Sequence, residues 1–375
     1  IIVLRGESKG AAWGVAAGLF AAGLIIPVLD AQVWKSGWDQ VWGAFSEFFG
    51  DHWKEMTVVA VVLLLCFGDV RRGFQRGWQP RMGGFIMFLT LGLGMMFVLQ
   101  LHQTSRQVVS AHRNFYGMLK VVQYNAADPH IHYFSLVHGG ITHGLQFTDP
   151  IMSTFPTTYY GESSGVGRAL KQLWRPEGRR IGLVGLGTGS LAAYGEDDDY
   201  MRIYEINPEV ERLARNRFTY LDITSATVEV VMGDARVSME HELKAGEPQR
   251  FDLLALDAFS SDAIPVHLLT AEAFGVYLEH LKPDGIIAIH ISNRYLDLEP
   301  VVRDLAEHHG MRAVLISDDA EEEWWNYRTS WMLVTRNEDF LELPEIGDVV
   351  SAPTINEKRR RLWTDDFASL FDVLK

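Results

Sequence analysis

The chain has 375 residues and a formal net charge of −14, which argues against nucleic acid as a main partner and leaves room for a small cationic ligand. Its one cysteine, Cys66, lies in an apolar run, so neither a disulfide framework nor a cysteine zinc site is available. There is no HExxH zinc motif and no lysine-bearing phosphate loop, and no metal is expected.

The chain opens at Ile1 instead of methionine, as a fragment with sequence missing upstream would. Residues 1–102 differ in kind from the rest. GAAWGVAAGLFAAGLIIPVL (10–29) and GGFIMFLTLGLGMMFVLQL (83–101) are apolar over the length a membrane span needs. MTVVAVVLLLCFG (56–68) is shorter and spans if Lys54 and Glu55 sit at the interface. Buried core helices are the alternative, but length, glycine content and lack of charge favour about three membrane helices in contact with lipid. A signal peptide fits poorly, because none of these segments opens on a basic start. Trp34, Trp38, Trp42, Phe45 and Phe49 recur at three- and four-residue spacing, as on a helix lying in the headgroup zone or a core-facing soluble helix. Arg71, Arg72, Arg76 and Arg81 place the loop 69–82 in the cytoplasm, so a full third span would put residues 103–375 outside. Arg106, Arg113 and Lys120, just beyond that span, argue the other way.

Residues 103–150 read as a linker and a small β region. MLKVVQYN, IHYFSLVH and ITHGLQF are strand-like, and Gly139-Gly140 joins the last two as a hairpin. From residue 180, apolar strands alternate with helical stretches: RIGLVGLG, MRIYEI, TVEVVMGD, FDLLALD, GIIAIHIS, AVLIS and SWMLVTR, with PEVERLARNRF and TAEAFGVYLEHL among the helices. This predicts an α/β fold, a doubly wound and mostly parallel Rossmann-like sheet over 151–337. The charged tail 338–375, with Pro344 and Pro353, carries no assigned chemistry.

The first chemical constellation is IGLVGLGTGSLAAYG. Gly185, Gly187 and Gly189 follow a strand and are expected to open a helix, letting the backbone turn tightly against a ligand. Glu205 ends the next strand, twenty residues beyond Gly185, where a carboxylate can accept both ribose hydroxyls of a nucleoside. The plain alternative is a solvated strand-end acid. A nicotinamide dinucleotide site would need glycine at position 190, which is Ser190. Asp234 follows the third strand in TVEVVMGDA. With Gly185, Gly187, Gly189 and Glu205 it resembles the three-part cofactor site of the S-adenosylmethionine-dependent methyltransferase fold, in which the third acid sits by the adenine amino group. SWMLVTR is then the antiparallel last strand of that fold.

The loop after the fourth strand, LDAFSSDAIP, carries Asp257 and Asp262. It resembles a lengthened version of the Asp-Ser-Ser-Asp loop of the polyamine aminopropyltransferases, the spermidine synthase family. The resemblance runs through GVGRALKQL, YEINPEV, GDA, LDAFSSDAIPVHLLTAEAF and LKPDGIIAIHISN, over residues 115 to 337, and a membrane-anchored branch of that family resembles the whole chain. It implies decarboxylated S-adenosylmethionine as co-substrate, with intact S-adenosylmethionine as the alternative, and a diamine such as putrescine as acceptor. It also implies a cytoplasmic catalytic domain at the inner membrane, since the donor is made in the cytoplasm; a homo-oligomer is allowed. Asp257 would hold the acceptor ammonium and take its proton. Asp262 would steer the acceptor or, alternatively, cap a helix or turn. Tyr160, in YYGE, is similar to the family's Tyr-x-Glu beside the substrate tunnel and would line it or pack in the core. The sequence departs from the family at His138, where an aspartate is usual, at Gln146, which lies farther on than the family's glutamine, and at Thr188, where the glycine loop commonly holds an aspartate. WWNY (324–327) falls roughly where the family closes its pocket.

Three rival readings remain. A methyltransferase of a small amine keeps every cofactor argument and changes only the transferred group. A non-catalytic membrane protein that binds polyamine or nucleoside is favoured slightly by the neutral Thr188. GESSG (161–165) matches the hydrolase nucleophile elbow, and HGG (138–140) an oxyanion loop, but Pro156 breaks the strand that Ser163 would need before it.

Overall fold

The computed structural model describes residues 107–258, 265–319, 323–353 and 361–375, with isolated helical positions at Thr90, Gly92, Gly94 and Met95. Apart from those four positions, the three apolar segments lie outside the described residues, as do the aromatic stretch between the first two and the second loop acid, Asp262. Among the described residues no helix is long and apolar enough to cross a membrane. The chain divides into residues 1–106 and a second unit, Gln107–Lys375.

The second unit opens with a four-stranded antiparallel sheet. Its strands are β1 (Val108–Asn114), β2 (Gly117–Tyr124), β3 (Tyr133–His138) and β4 (Ile141–Phe147), in spatial order β1-β2-β3-β4. The Gly139-Gly140 hairpin forms as expected, with His138 opposite Ile141 and Gly139 at φ +61°. β1 was not expected. Its sequence, VVSAHRN, mixes apolar and polar residues and has none fully buried, so it shows no clear alternation, and its pairing with β2 supplies the order.

A seven-stranded sheet follows, built from β5 (Arg180–Val184), β6 (Tyr200–Glu205), β7 (Thr227–Met232), β8 (Phe251–Leu256), β9 (Leu281–His290), β10 (Arg312–Asp318) and β11 (Thr329–Thr335). The spatial order is β10-β11-β9-β8-β5-β6-β7, and β11 runs antiparallel to both neighbours while the other pairs are parallel. Helices α1 (Gly165–Gln172), α2 (Pro208–Arg217), α3 (Ala235–Lys244), α4 (Ala271–His280) and α5 (Glu299–His308) connect the strands. Two apolar clusters flank the sheet: Ile181, Ile203, Leu253 and Ile286 belong to one, Val184, Leu254, Leu256 and Ile287 to the other. Coverage on both faces is why the central strands β5, β8 and β9 read as largely apolar runs, and all six residues of β8 are buried.

Winding starts at β5, proceeds outward through β6 and β7, then crosses back to β8 and β9 on the other side. The carboxyl ends of β5 and β8 therefore flank the point where the strand order reverses, and such a crevice is where open α/β sheets bind ligands. The tail is part of the body. Phe340, Leu341 and Ile346 join one cluster, Trp363 and Val373 the other. Asp365 pairs with Arg236 of α3 at 2.6 Å.

Candidate active site

The glycine loop follows β5 directly. Gly185, Gly187 and Gly189 all have positive φ, +97°, +55° and +88°. At the first two, space forbids a side chain as firmly as φ does. A Cβ on Gly185 would lie 2.4 Å from the Asp257 carbonyl oxygen, and one on Gly187 would lie 2.7 Å from that of His143. The expected helix after the loop is a single 3-10 stretch, Ser190–Tyr194, with Gly189 before it.

Glu205 closes β6 and is buried. Its Oε2 accepts from the Leu186 N–H at 2.9 Å and its Oε1 from the Asn207 N–H at 2.7 Å. The carboxylate is thereby fixed across the glycine loop. Burial raises its pKa against the pull of the Asn207, Leu186 and Ile206 N–H groups.

Asp234 is the N-cap of α3. Its Oδ1 accepts from the Val237 N–H at 3.0 Å, while its Oδ2 lies 2.8 Å from Nε2 of His267. Both the capping role and the histidine partner were invisible in the one-residue reading of this acid.

Asp257 follows β8, its N–H donating to the Val184 carbonyl at 2.9 Å, so the tips of β5 and β8 are locked together. The Tyr160 hydroxyl donates to its Oδ2. Nδ1 of His290 lies 2.7 Å from Oδ1, and Nε2 of the same ring lies 3.1 Å from the Thr329 hydroxyl. His290 stacks on Trp331 at 4.8 Å between centroids and 17° between planes. Tyr160 is buried, and its pKa is held well above the ordinary value by burial and by the Asp257 charge, so it remains a proton donor to the carboxylate.

These groups surround one cavity of about 300 Å³. Gly185, Leu186, Gly187, Glu205, Asp234 and Asp257 line it from the large sheet, and His138, His143, Leu119, Leu136 and Tyr116 from the small one. Tyr160 is absent from the lining and reaches the site through Asp257. The departures from the family pattern have local explanations. Thr188 is buried under β4, its Oγ1 2.8 Å from Ser190 Oγ, and a Cβ on Gly144 would lie 2.1 Å from that same Oγ1. Gln146 is consumed by structure: it bonds the Ser153 carbonyl and both the hydroxyl and the N–H of Thr219. His138 anchors the hairpin through the Tyr116 carbonyl at 2.8 Å. The 324–327 run does not line the cavity; Trp325 and Tyr327 form backbone bonds with Thr158, and Trp324 packs on Tyr133 and Phe147. The hydrolase elbow dissolves: Ser163 donates to Asp318 at 2.6 Å and Ser164 caps α1.

Two groups of the site, His143 in the cavity wall and His290 behind Asp257, went unread in the sequence. His290 ends an apolar strand just as Asp257 follows one, and a polar residue closing a buried run was the available signal. His143 carried none, since a histidine in a half-buried hairpin strand is unremarkable until its neighbour across the gap is known.

The seven-stranded sheet with one antiparallel strand is of the kind typical of the methyltransferase fold, and the glycine loop and strand-end acids lie at the carboxyl ends of its central strands. No family model matches the chain. A 118-residue stretch is 35% identical to the polyamine aminopropyltransferase of Vibrio vulnificus, covering 31% of this chain and 38% of that protein. A 112-residue stretch is 35% identical to an N-terminal histidine N-methyltransferase of Emericella nidulans, covering 29% of this chain and 19% of the relative. The chain thus spans well under half the length of either curated relative. Among solved structures, a spermidine synthase from Thermotoga maritima aligns over 69% of this chain and 82% of its own, at 15% identity and TM-score 0.45. A probable spermidine synthase from Corynebacterium glutamicum aligns over 60% and 79%, at 16% and 0.47.

Proposed function

We propose that this protein moves an alkyl group from a sulfonium nucleoside to an amine, and that the group is the aminopropyl chain of decarboxylated S-adenosylmethionine. The observation that carries the reading is the placement of Asp257. It shares one cavity with the glycine loop, Glu205 and Asp234, and it is pinned from behind by Tyr160 and His290. A sulfonium donor presents an adenine, a ribose and a positively charged sulfur. Asp234, Glu205 and the bare backbone at Gly185 and Gly187 suit the first two. The acceptor is a cation at neutral pH, and Asp257 would hold its ammonium beside the reactive carbon. The site residues supply binding, orientation and a fixed negative charge; the leaving sulfonium supplies the reactivity.

The second reading, methyl transfer from intact S-adenosylmethionine, is favoured by one feature. Thr188 places no negative charge in the glycine loop that would oppose the donor's carboxylate. Offering both donors with a panel of amines separates the two. Aminopropyl transfer releases methylthioadenosine, and methyl transfer releases S-adenosylhomocysteine. In Asp257→Asn, kcat/KM for the amine is expected to fall by about 10²-fold or more while methylthioadenosine affinity stays within about threefold. Release of neither nucleoside with any amine would sink the transferase reading. The apolar segments upstream support attachment of this domain to a membrane, with the catalytic unit on the cytoplasmic side where the donor is made.

A further inference from the structure

The bonds around Asp257 leave a question about the proton. An acceptor ammonium must lose one before its nitrogen can attack. Each oxygen of Asp257 already has a proton donor: the Tyr160 hydroxyl on Oδ2 and His290 on Oδ1. An ionised carboxylate cannot donate, so the 2.7 Å contact is made by the hydrogen on Nδ1 of His290. The proton therefore has no onward path through that ring: Nδ1 is occupied, and Nε2 faces the Thr329 hydroxyl.

Across the cavity stands a group in the opposite condition. His143, on β4, lines the same cavity, and its Nε2 is a buried atom with no hydrogen-bond partner among the described residues. Unsatisfied buried nitrogens are rare and call for an explanation, of which a bound ligand is one. The backbone around it is closely packed, with the His143 carbonyl against Gly187 and Gly144 against Thr188, and the ring lies 5.6 Å from that of His138. The charged and titratable groups that act on it are Asp257 from β8, His138 from β3 and His290 from β9.

We propose that His143 is the proton acceptor for the attacking amine, and that Asp257 is the anchor for its charge. This rests on the transferase reading above and divides its chemistry between two residues. Burial pushes the His143 imidazole down to about 4, partly countered by the Asp257 charge, so near neutral pH it is uncharged and keeps a lone pair. The donor's sulfonium lowers the pKa of the nearby ammonium, which brings the two groups closer in basicity. In the step itself, an N–H bond of the ammonium breaks and its proton passes to Nε2. The freed lone pair forms the new C–N bond. The C–S bond breaks with its electron pair going to sulfur, leaving the uncharged thioether of methylthioadenosine. The imidazolium, steadied by Asp257, then returns its proton to solvent.

The test uses the full chain in detergent, with His143→Gln, which keeps hydrogen bonding without basicity, and His143→Leu. At about pH 7 both variants are expected to lose about 10²-fold in kcat with the amine, while methylthioadenosine affinity by calorimetry stays within about twofold. The deciding measurement is the same comparison near pH 10, where roughly a quarter of a simple alkylamine is already deprotonated by solvent, against well under about one part in a thousand at pH 7. There the His143→Gln deficit should shrink to a few-fold, because the missing base is no longer needed. A deficit that persists unchanged at high pH, or one below about threefold at pH 7, overturns the assignment. So does a parallel loss of methylthioadenosine binding, which would mean a structural role. An inert native enzyme with both donors removes the transferase reading and this role with it, whereas an active native enzyme with unaffected variants removes this role alone.

Discussion

On the proposed reading, Glu205 is one buried carboxylate that would link stability to ligand binding. Burial raises its pKa above the ordinary value. Between the ordinary and the raised value the folded chain keeps a proton that the unfolded chain has lost. The stability this contributes is present at low pH and is lost as pH rises through the raised value. On the proposed reading ligand binding would run the other way, because ribose hydroxyls are best accepted by the ionised form. Methylthioadenosine affinity is therefore expected to weaken as the pH falls through the raised value, and calorimetry in Glu205→Gln should show the dependence gone. The sequence made Glu205 and the loop glycines readable, because a strand-end acid and a glycine-rich turn have few other uses in this arrangement. It could not reveal the two N–H groups that fix the carboxylate, since Leu186 and Asn207 donate from the backbone and leave no side-chain trace.

Among the elements, α3 has its first turn tied to the site. Asp234 caps it through the Val237 N–H and holds His267 with its other oxygen. Asp234→Ala is expected to cost about 1 kcal/mol in urea unfolding, as the loss of an N-cap does, whereas Asp234→Asn should keep nearly all of it. If the acid also receives the adenine amino group, both variants should bind methylthioadenosine more weakly, Asn included. A large stability loss in Asn would assign the residue to the His267 contact instead. The central large-sheet strands were legible because burial on both faces gives largely apolar runs. β1 was not, because an edge strand of a small sheet is defined by its partner and not by its own composition. The 3-10 stretch after the glycine loop was equally hidden: SLAAY is compatible with a full helix, and Gly195 ends it after five residues.

For the whole unit, the tail is the clearest case of a segment whose role composition concealed. Its charged residues and prolines suggested a trailing extension, yet Trp363 is 2% exposed and Phe340, Leu341, Ile346 and Val373 are buried in the same two clusters that flank the sheet. The Trp363 carbonyl accepts the first N–H of α4, and the Val373 carbonyl accepts from Asp297. Ending the chain at Asn337 removes several large buried side chains, each worth about 3 kcal/mol or more, against a total stability of about 5–15 kcal/mol. Such a truncation is expected to lose its cooperative thermal transition in calorimetry; a sharp transition near that of the full chain would show the tail to be dispensable. Scattered apolar residues among charges give no periodic signal, so only their docking partners reveal them.

The contact between Gly185 and the Asp257 carbonyl has a consequence for how this pocket can diversify. On the proposed reading the nucleoside half and the amine half would meet there through main chain alone, so neither could be widened at that seam by exchanging a side chain. Bulkier acceptors must be accommodated on the opposite wall, where Tyr116, Leu119 and Leu136 offer side chains that can be trimmed. Directed evolution for new amines should accordingly enrich changes in the small sheet and leave the β5–β8 seam untouched.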